Sequence, residues 1–380
     1  MKIDIDRERL AHQFTTLCEI SSPSRQEKPV ADYLRRVFTE LGADFIVEDD
    51  SASQTGSDSG NLIIRFEGST EQAPIFLGCH MDTVKPGMGV QVERQGDIFR
   101  SCGETILGGD DKSGIAPLIE LITQIKEKQI GHRTIELVFT TCEEIGLLGA
   151  KSLDYKHLQA EFGYALDSTG IDKVIIGAPA ANKIRIDVRG TAAHAGINPE
   201  AGVNAFVVAA HAITRLKLGR IDDESTSNIG IIKGGVATNI VPEHLSLMGE
   251  VRSHSMEKLS TYTEEIKTTF LDVIAGWPVP DRDDFRPPTV DLKVESEYPV
   301  MRLSEDDQVV ETVRQAGLSL GREQSFIVAG GGSDANIFNG YGLPTAIIAT
   351  GMTDVHTTDE SADLNDMVKL TELLFAMVTN

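Results

Sequence analysis

An α/β domain with a mostly parallel sheet flanked by helices, interrupted by an inserted α+β domain, is the architecture this sequence predicts. Three observations lead to it. Apolar strand-like runs alternate with helical periodicity up to residue 180 and again beyond residue 298; between these limits the strands alternate polar and apolar residues; and a chain of 380 residues exceeds the size at which one hydrophobic core keeps growing. We therefore expect residues 1–180 with 299–380 to form one domain and residues 181–298 the other.

Residues 6–20 (DRERLAHQFTTLCEI) space Leu10, Phe14 and Leu17 as one face of an amphipathic helix. A second helix follows the breaker SSPS: Ser24 and Glu27 have capping-box spacing, Pro29 falls in the early turns, Val30, Leu34, Val37 and Leu41 make the stripe, and Gly42 ends it. NLIIRFEG and APIFLGCHMD are strand-like. IAPLIELITQIKEK is helical, with Pro117 tolerated near its start. TIELVFTT, residues 134–141, suits a buried strand, as does FGYAL. In the inserted region KIRIDVRG, STSNIGIIKGG and LSLMGEVRSH alternate, AGVNAFVVAAHAITRLK and MEKLSTYTEEIKTTFLDVIAG are helical, and the polar stretch PVPDRDDFRPPTVDLK closes the unit. Helical QVVETVRQAGLSL and the strand TAIIAT then resume the first style.

Composition excludes several function classes. The 58 acidic against 35 basic side chains give a formal charge of -23, which repels nucleic acid and anionic membrane surfaces. The start, MKIDIDRERLAHQF, has no apolar signal region, and no long apolar run follows, so a cytoplasmic location is expected. Cys18, Cys79, Cys102 and Cys142 form no C-x-x-C pair and are expected as reduced thiols; Cys79 and Cys142 fit small buried positions.

LGGDDKSG, residues 107–114, has the look of a phosphate loop, but Asp110 and Asp111 precede Lys112 where glycine is required, and their charges would repel phosphate. Other acidic and imidazole groups recur at strand ends. In GCHMDTV, His80 and Asp82 are two apart and share a face. TTCEEIGLLG puts Glu143 and Glu144 just after the buried strand, and ALDSTG does the same with Asp167. GMTDVHTTDE puts His356 after TAIIAT. Taken singly, H-x-D fits a surface pair, Glu-Glu a solvated loop and His356 an ordinary loop histidine; recurrence at strand ends singles them out. Two imidazoles with three or more carboxylates exceed the three protein groups of a single catalytic zinc and suit two metals sharing a bridging carboxylate.

Five ordered motifs, CHMDTV, LGGDDKSG, TTCEEIGLLGA, ALDS and VHTTDE, resemble the M20 family of zinc peptidases, in particular its peptidase T-like (tripeptidase-like) branch. GTAAHAG (190–196) and GGGSDANIF (330–338) fall in family-like positions. The resemblance implies two zinc ions, with cobalt or manganese as alternatives: His80 and Asp167 on one, Glu144 and His356 on the other, Asp110 bridging both through a turn whose following peptide bond is cis. Asp82 resembles the residue that orients His80, and Glu143 the general base that takes a proton from a metal-bridging water and delivers it to the leaving amine. Aspartate at position 167 resembles the peptidase side of the family; glutamate would point to deacetylases and desuccinylases.

The inserted domain resembles the family's lid, which also serves dimerisation and would make a homodimer. Its His194 resembles the residue that holds the scissile carbonyl, and Asn239 and Arg252 resemble residues that bind the substrate backbone and carboxylate. One departure bears on substrate length. The tripeptidase branch carries arginine just before its glycine-rich stretch, where this chain has Ala329 and Gly330. The expected activity is a cytoplasmic dizinc exopeptidase for short peptides, with no nucleic-acid or membrane partner. The alternatives are an amidohydrolase for N-acyl amino acids and a non-catalytic binder, for which a general base would be superfluous.

Overall fold

Five apolar runs fold as strands with every residue buried: Leu62–Phe66, Ile75–His80, Ile135–Thr140, Phe162–Ala165 and Thr345–Ile348. Strands apolar on both faces must be covered on both faces, the situation of parallel sheets in α/β proteins. In the computed structural model, which describes residues 3–281, 283 and 285–379, Ile75–His80 runs parallel to Ile135–Thr140 on one side and to Phe162–Ala165 on the other, and Phe162–Ala165 runs parallel to Thr345–Ile348. Leu62–Phe66 and then Phe45–Glu48 extend one edge antiparallel. Lys173–Ala178 pairs antiparallel with Thr345–Ile348 beyond the other.

This sheet belongs to a unit made of residues up to Gly177, Met301–Ala329 and the chain from Ser333 on. Its helices include Arg7–Glu19, Lys28–Glu40, Gly109–Lys128, Gln308–Ser319 and Leu364–Thr379. Asp6 caps the first by accepting the Arg9 N–H. Gly109–Lys128 has non-helical angles at Asp110 and Asp111, so regular helix begins only after the two aspartates, and the Asp110–Asp111 peptide bond is cis. A small sheet orders Met352–Thr353, Ser361–Asp363, Ile98–Ser101 and Val92–Gln95. These four short strands are only partly buried and form no apolar run, so the sequence does not announce them.

The expected capping box of the second helix does not form. Lys28–Glu40 begins after Glu27, which makes no side-chain cap. The Ser24 hydroxyl instead donates to Asp82 Oδ2 at 2.6 Å, and the Glu27 carboxylate accepts the Cys142 N–H at 2.9 Å. Buried partners on other loops outcompete the local cap.

The second unit comprises Ala178–Val300 with Gly330–Gly332. Its antiparallel sheet orders Gly219–Asp222, Ser225–Gly234, His244–Ser253, Ala180–Arg189 and Thr289–Tyr298. Thr289–Tyr298 corrects the sequence reading, which gave its first residues to a polar closing stretch. The strand is mostly exposed, so its composition resembles a loop. Helices Ala205–Ile213, capped by Asn204, and Met256–Ala275, capped by Ser255, bury Val208, Ala212, Ile266 and Phe270 against Ile184, Ile186, Val188 and Leu247 of the sheet. Among the described residues no helix is long and apolar enough to cross a membrane.

One buried ion pair ties the sheet of the first unit. Arg65 and Glu136 face each other across neighbouring strands with Nε–Oε1 at 2.7 Å, and Glu136 also accepts the N–H groups of Gln159 and Ala160. Replacing Glu136 by alanine strands a buried guanidinium, so Glu136→Ala should lose about 3–5 kcal/mol of stability. Urea denaturation of the two proteins, followed by far-UV circular dichroism, measures the difference.

Candidate metal centre

The four parallel strands end at one edge of their sheet: His80 is in register with Thr140, Gly78 with Ala165, and Ala165 with Ile347. Chain leaving such ends builds the sites of α/β proteins. Here His80 closes one strand, Glu143 and Glu144 follow another, Asp167 follows a third and His356 the fourth. Asp110 enters from the turn before the helix Gly109–Lys128.

Asp110 occupies the centre. Its Oδ1 lies 2.8 Å from His80 Nε2 and its Oδ2 3.1 Å from His356 Nε2. Glu144 Oε1 lies 3.0 Å from the same His356 nitrogen. His80 Nδ1 is 2.9 Å from the Asp82 carbonyl. A carbonyl only accepts, so Nδ1 donates and Nε2 is left facing Asp110, the pose of an imidazole that binds metal.

Three overlapping sets, His80 with Asp110 and Asp167, His80 with Glu143 and Glu144, and Asp110 with Glu144 and His356, each keep their donor atoms within 4.8 Å of one another. The donors are imidazole nitrogens and carboxylate oxygens, the ligand types of zinc and its first-row neighbours. No cysteine enters these sets, and Cys79 and Cys142 are buried.

The charge balance is unfavourable for the protein alone. Burial drives the Asp167 carboxyl well above its ordinary pKa, with Asp110 adding to the effect. Burial does the same at Glu143, where Asp167 adds to it against the opposing pull of His80. Burial also works against Asp110, but its two imidazole partners hold it well below the usual range. The carboxylates of Asp110 and Glu144 beside it push His356 up to about 10. Glu144 Oε1 is buried without a well-directed hydrogen bond. Carboxylates thus outnumber the imidazoles that could neutralise them, a deficit that dications remove. The residues fit a two-metal centre on their chemistry and on their spacing.

Asp82 has partners besides His80. Its carboxylate stands 3.6 Å from His80 Nδ1, farther than its own carbonyl. It also accepts the N–H of Glu143 at 2.9 Å, the N–H of Glu144 at 3.3 Å and the Ser24 hydroxyl. Asp82 therefore joins His80 to the Glu143–Glu144 turn. That turn leaves its strand through Cys142, whose φ of 54° is left-handed, and Glu27 holds the Cys142 N–H in that bend.

His194, Asn239 and Arg252 lie in the second unit. His194 is exposed and bridges to Ile240, while the Asn239 carbonyl accepts the Ala195 N–H at 2.9 Å, so these two share one loop pair. Arg252 lies apart on the strand His244–Ser253 and forks onto Glu250, with Nε–Oε1 and Nη2–Oε2 both at 3.0 Å.

Two acids escaped the sequence reading. Asp334 is buried, accepts the Thr140 hydroxyl at 2.5 Å and lines a small cavity with His80, Asp111 and Asp167. Glu360, also buried, accepts main-chain N–H groups of the Asp110 turn. Both sit inside quoted motifs, GGGSDANIF and VHTTDE, and that is the only signal either offers.

Comparison with known proteins follows the same lines. The sequence model of peptidase family M20/M25/M40 matches residues 76–380. The crystal structure of aminopeptidase PepT from Bacillus cereus is 38% identical with a TM-score of 0.88, covering 99% of this chain and 98% of that one. A tripeptidase structure from Staphylococcus aureus is 34% identical with a TM-score of 0.92 over the same shares. The Bacillus subtilis protein YqjE, which carries no stated activity, is 38% identical over 375 residues, 98% of each chain.

Removing the Asp82 carboxylate should loosen the turn it anchors. In Asp82→Ala, hydrogen exchange at the Glu143 and Glu144 amides should quicken by about 10-fold or more, as expected for a lost charge-assisted bond. Mass-spectrometric exchange on peptides spanning residues 140–147 reads this, with the Arg65–Glu136 strands as internal control.

Proposed function

The chain belongs to peptidase family M20/M25/M40, and from that premise we propose that it is a two-metal exopeptidase that hydrolyses short peptides. The observation that carries this reading is Asp110, one carboxylate shared between His80 and His356, with further donor groups on either side. His80 and Asp167 would hold one ion, Glu144 and His356 the other, and Asp110 both. Zinc suits this donor set, with cobalt or manganese as substitutes. The names of the PepT and tripeptidase structures support a short peptide as substrate.

When bound, the ions supply Lewis-acid polarisation of the scissile carbonyl and acidify water. The chain's own residues do the rest. Glu143, on the turn fixed by Asp82 and Glu27, takes the proton of the attacking water on a carboxylate oxygen and returns it to the amine that leaves. Its neighbour Glu144 faces His356 instead, so the two adjacent carboxylates divide proton transfer from ligation. We assign substrate contacts to His194, Asn239 and Arg252 of the second unit. Without an arginine at Ala329 or Gly330, the substrate carboxylate depends more on Arg252, and dipeptides are as acceptable as tripeptides in this reading. Four unpaired cysteines accord with the reducing cytoplasm.

Profiling di- and tripeptides and N-acyl amino acids, with metal content measured on the same sample, tests the proposal. Cleavage of free-amine peptides is expected; turnover of acyl amino acids alone would make the protein a deacylase, and no amide cleavage with metal bound would leave a binder. Glu143→Ala should lower kcat by about 10²–10⁴-fold with the metal content of the wild type. His356→Ala should instead lose one of two metals per chain by elemental analysis, and retention of both would remove His356 from the ligand set.

A further inference from the structure

The motif that supplies His356 supplies a second group to the same aspartate. Glu360 stands four residues later, 1% exposed, immediately before the short strand Ser361–Asp363, which pairs with Ile98–Ser101. Its Oε2 accepts the Gly108 N–H at 2.8 Å and its Oε1 accepts the Asp110 N–H at 2.9 Å. A carboxylate that takes two main-chain N–H groups from one turn fixes that turn in both distance and direction, and such charge-assisted bonds are stronger than neutral ones. The turn is built to receive it. Gly108 has a left-handed φ of +77°, and a Cβ added at Gly109 would lie 3.2 Å from Glu360 Oε1. Asp110 is therefore gripped from two sides by one loop: His356 meets its side chain and Glu360 its backbone.

We propose that Glu360 is a positioning residue for the metal centre, setting the place of the Asp110 carboxylate between the two imidazoles without touching metal or substrate. The proposal rests on the reading of Asp110 as the shared ligand. Glu360 is the only described carboxylate that accepts an N–H of this turn through both oxygens, and the bond to Asp110 passes directly into a ligand. Loss of such a supporting bond typically costs 10–100-fold in metal affinity.

The test uses the full chain with Co²⁺, whose visible absorption reports its coordination. Wild type is expected to bind two Co²⁺. Glu360→Gln keeps the shape but only one acceptor oxygen, and Glu360→Asp keeps the charge but withdraws both oxygens. Both should bind Co²⁺ about 10–100-fold more weakly, with an altered spectrum and with kcat lowered while KM holds. Glu120→Gln, a buried change at the Arg9 ion pair, should lower Tm and leave the Co²⁺ spectrum alone. Wild-type affinity in either Glu360 variant would overturn the positioning role, and if Glu360→Gln does not fold, Glu360→Asp decides alone. A wild type that binds no Co²⁺ would overturn the metal reading itself, and this inference with it.

Discussion

The site depends on one carboxylate that two imidazoles share. Asp110 is nearly buried, and burial of a charge is costly unless opposite charges or hydrogen bonds replace water. His80 and His356 supply the replacement from two sides, while Glu360 holds the backbone of the turn that carries the carboxylate. Every other feature of the edge follows from keeping those groups in reach: parallel strands that stop at one level, a left-handed bend at Cys142, and Asp82 joining two of the strand ends.

The supporting shell is more elaborate than the donor set. Ser24 and Glu27 belong to the chain before the second helix, yet they bond to Asp82 and Cys142. A helix end that could have been capped locally is left without a side-chain cap, and the polar groups brace the turn that carries Glu143. Buried hydrogen bonds of this kind hold a constellation to fractions of an ångström, the tolerance that chemistry on an amide requires.

Much of this could be read in the chain itself. The fully buried strands appear as short apolar runs, and the acidic and imidazole groups other than Asp110 lie at the end of one of them or in the chain that follows it; position relative to a strand end is a local property, visible in a window of about ten residues. The remainder is not local. Ser24 and Glu27 have the spacing of a capping box, and nothing nearby shows that Asp82 and Cys142 compete for them. Thr289–Tyr298 looks like loop because an exposed strand has little apolar pattern to display. Asp334 and Glu360 have no periodic signature at all, since their partners, Thr140 and the Gly108–Asp110 turn, are distant in sequence. Asp82 is visible as a partner of His80; that its carboxylate also holds the Glu143–Glu144 amides is decided by three-dimensional proximity.

The separations across Asp110 carry a kinetic consequence. His80 is 30 residues away from it along the chain and His356 is 246. Contacts of such reach form only after the intervening polypeptide has condensed, because each closure must overcome the entropy of a long loop. The constellation is thus among the last things the nascent chain assembles. A chain that stops short of His356 lacks one of the two imidazoles gathered at Asp110.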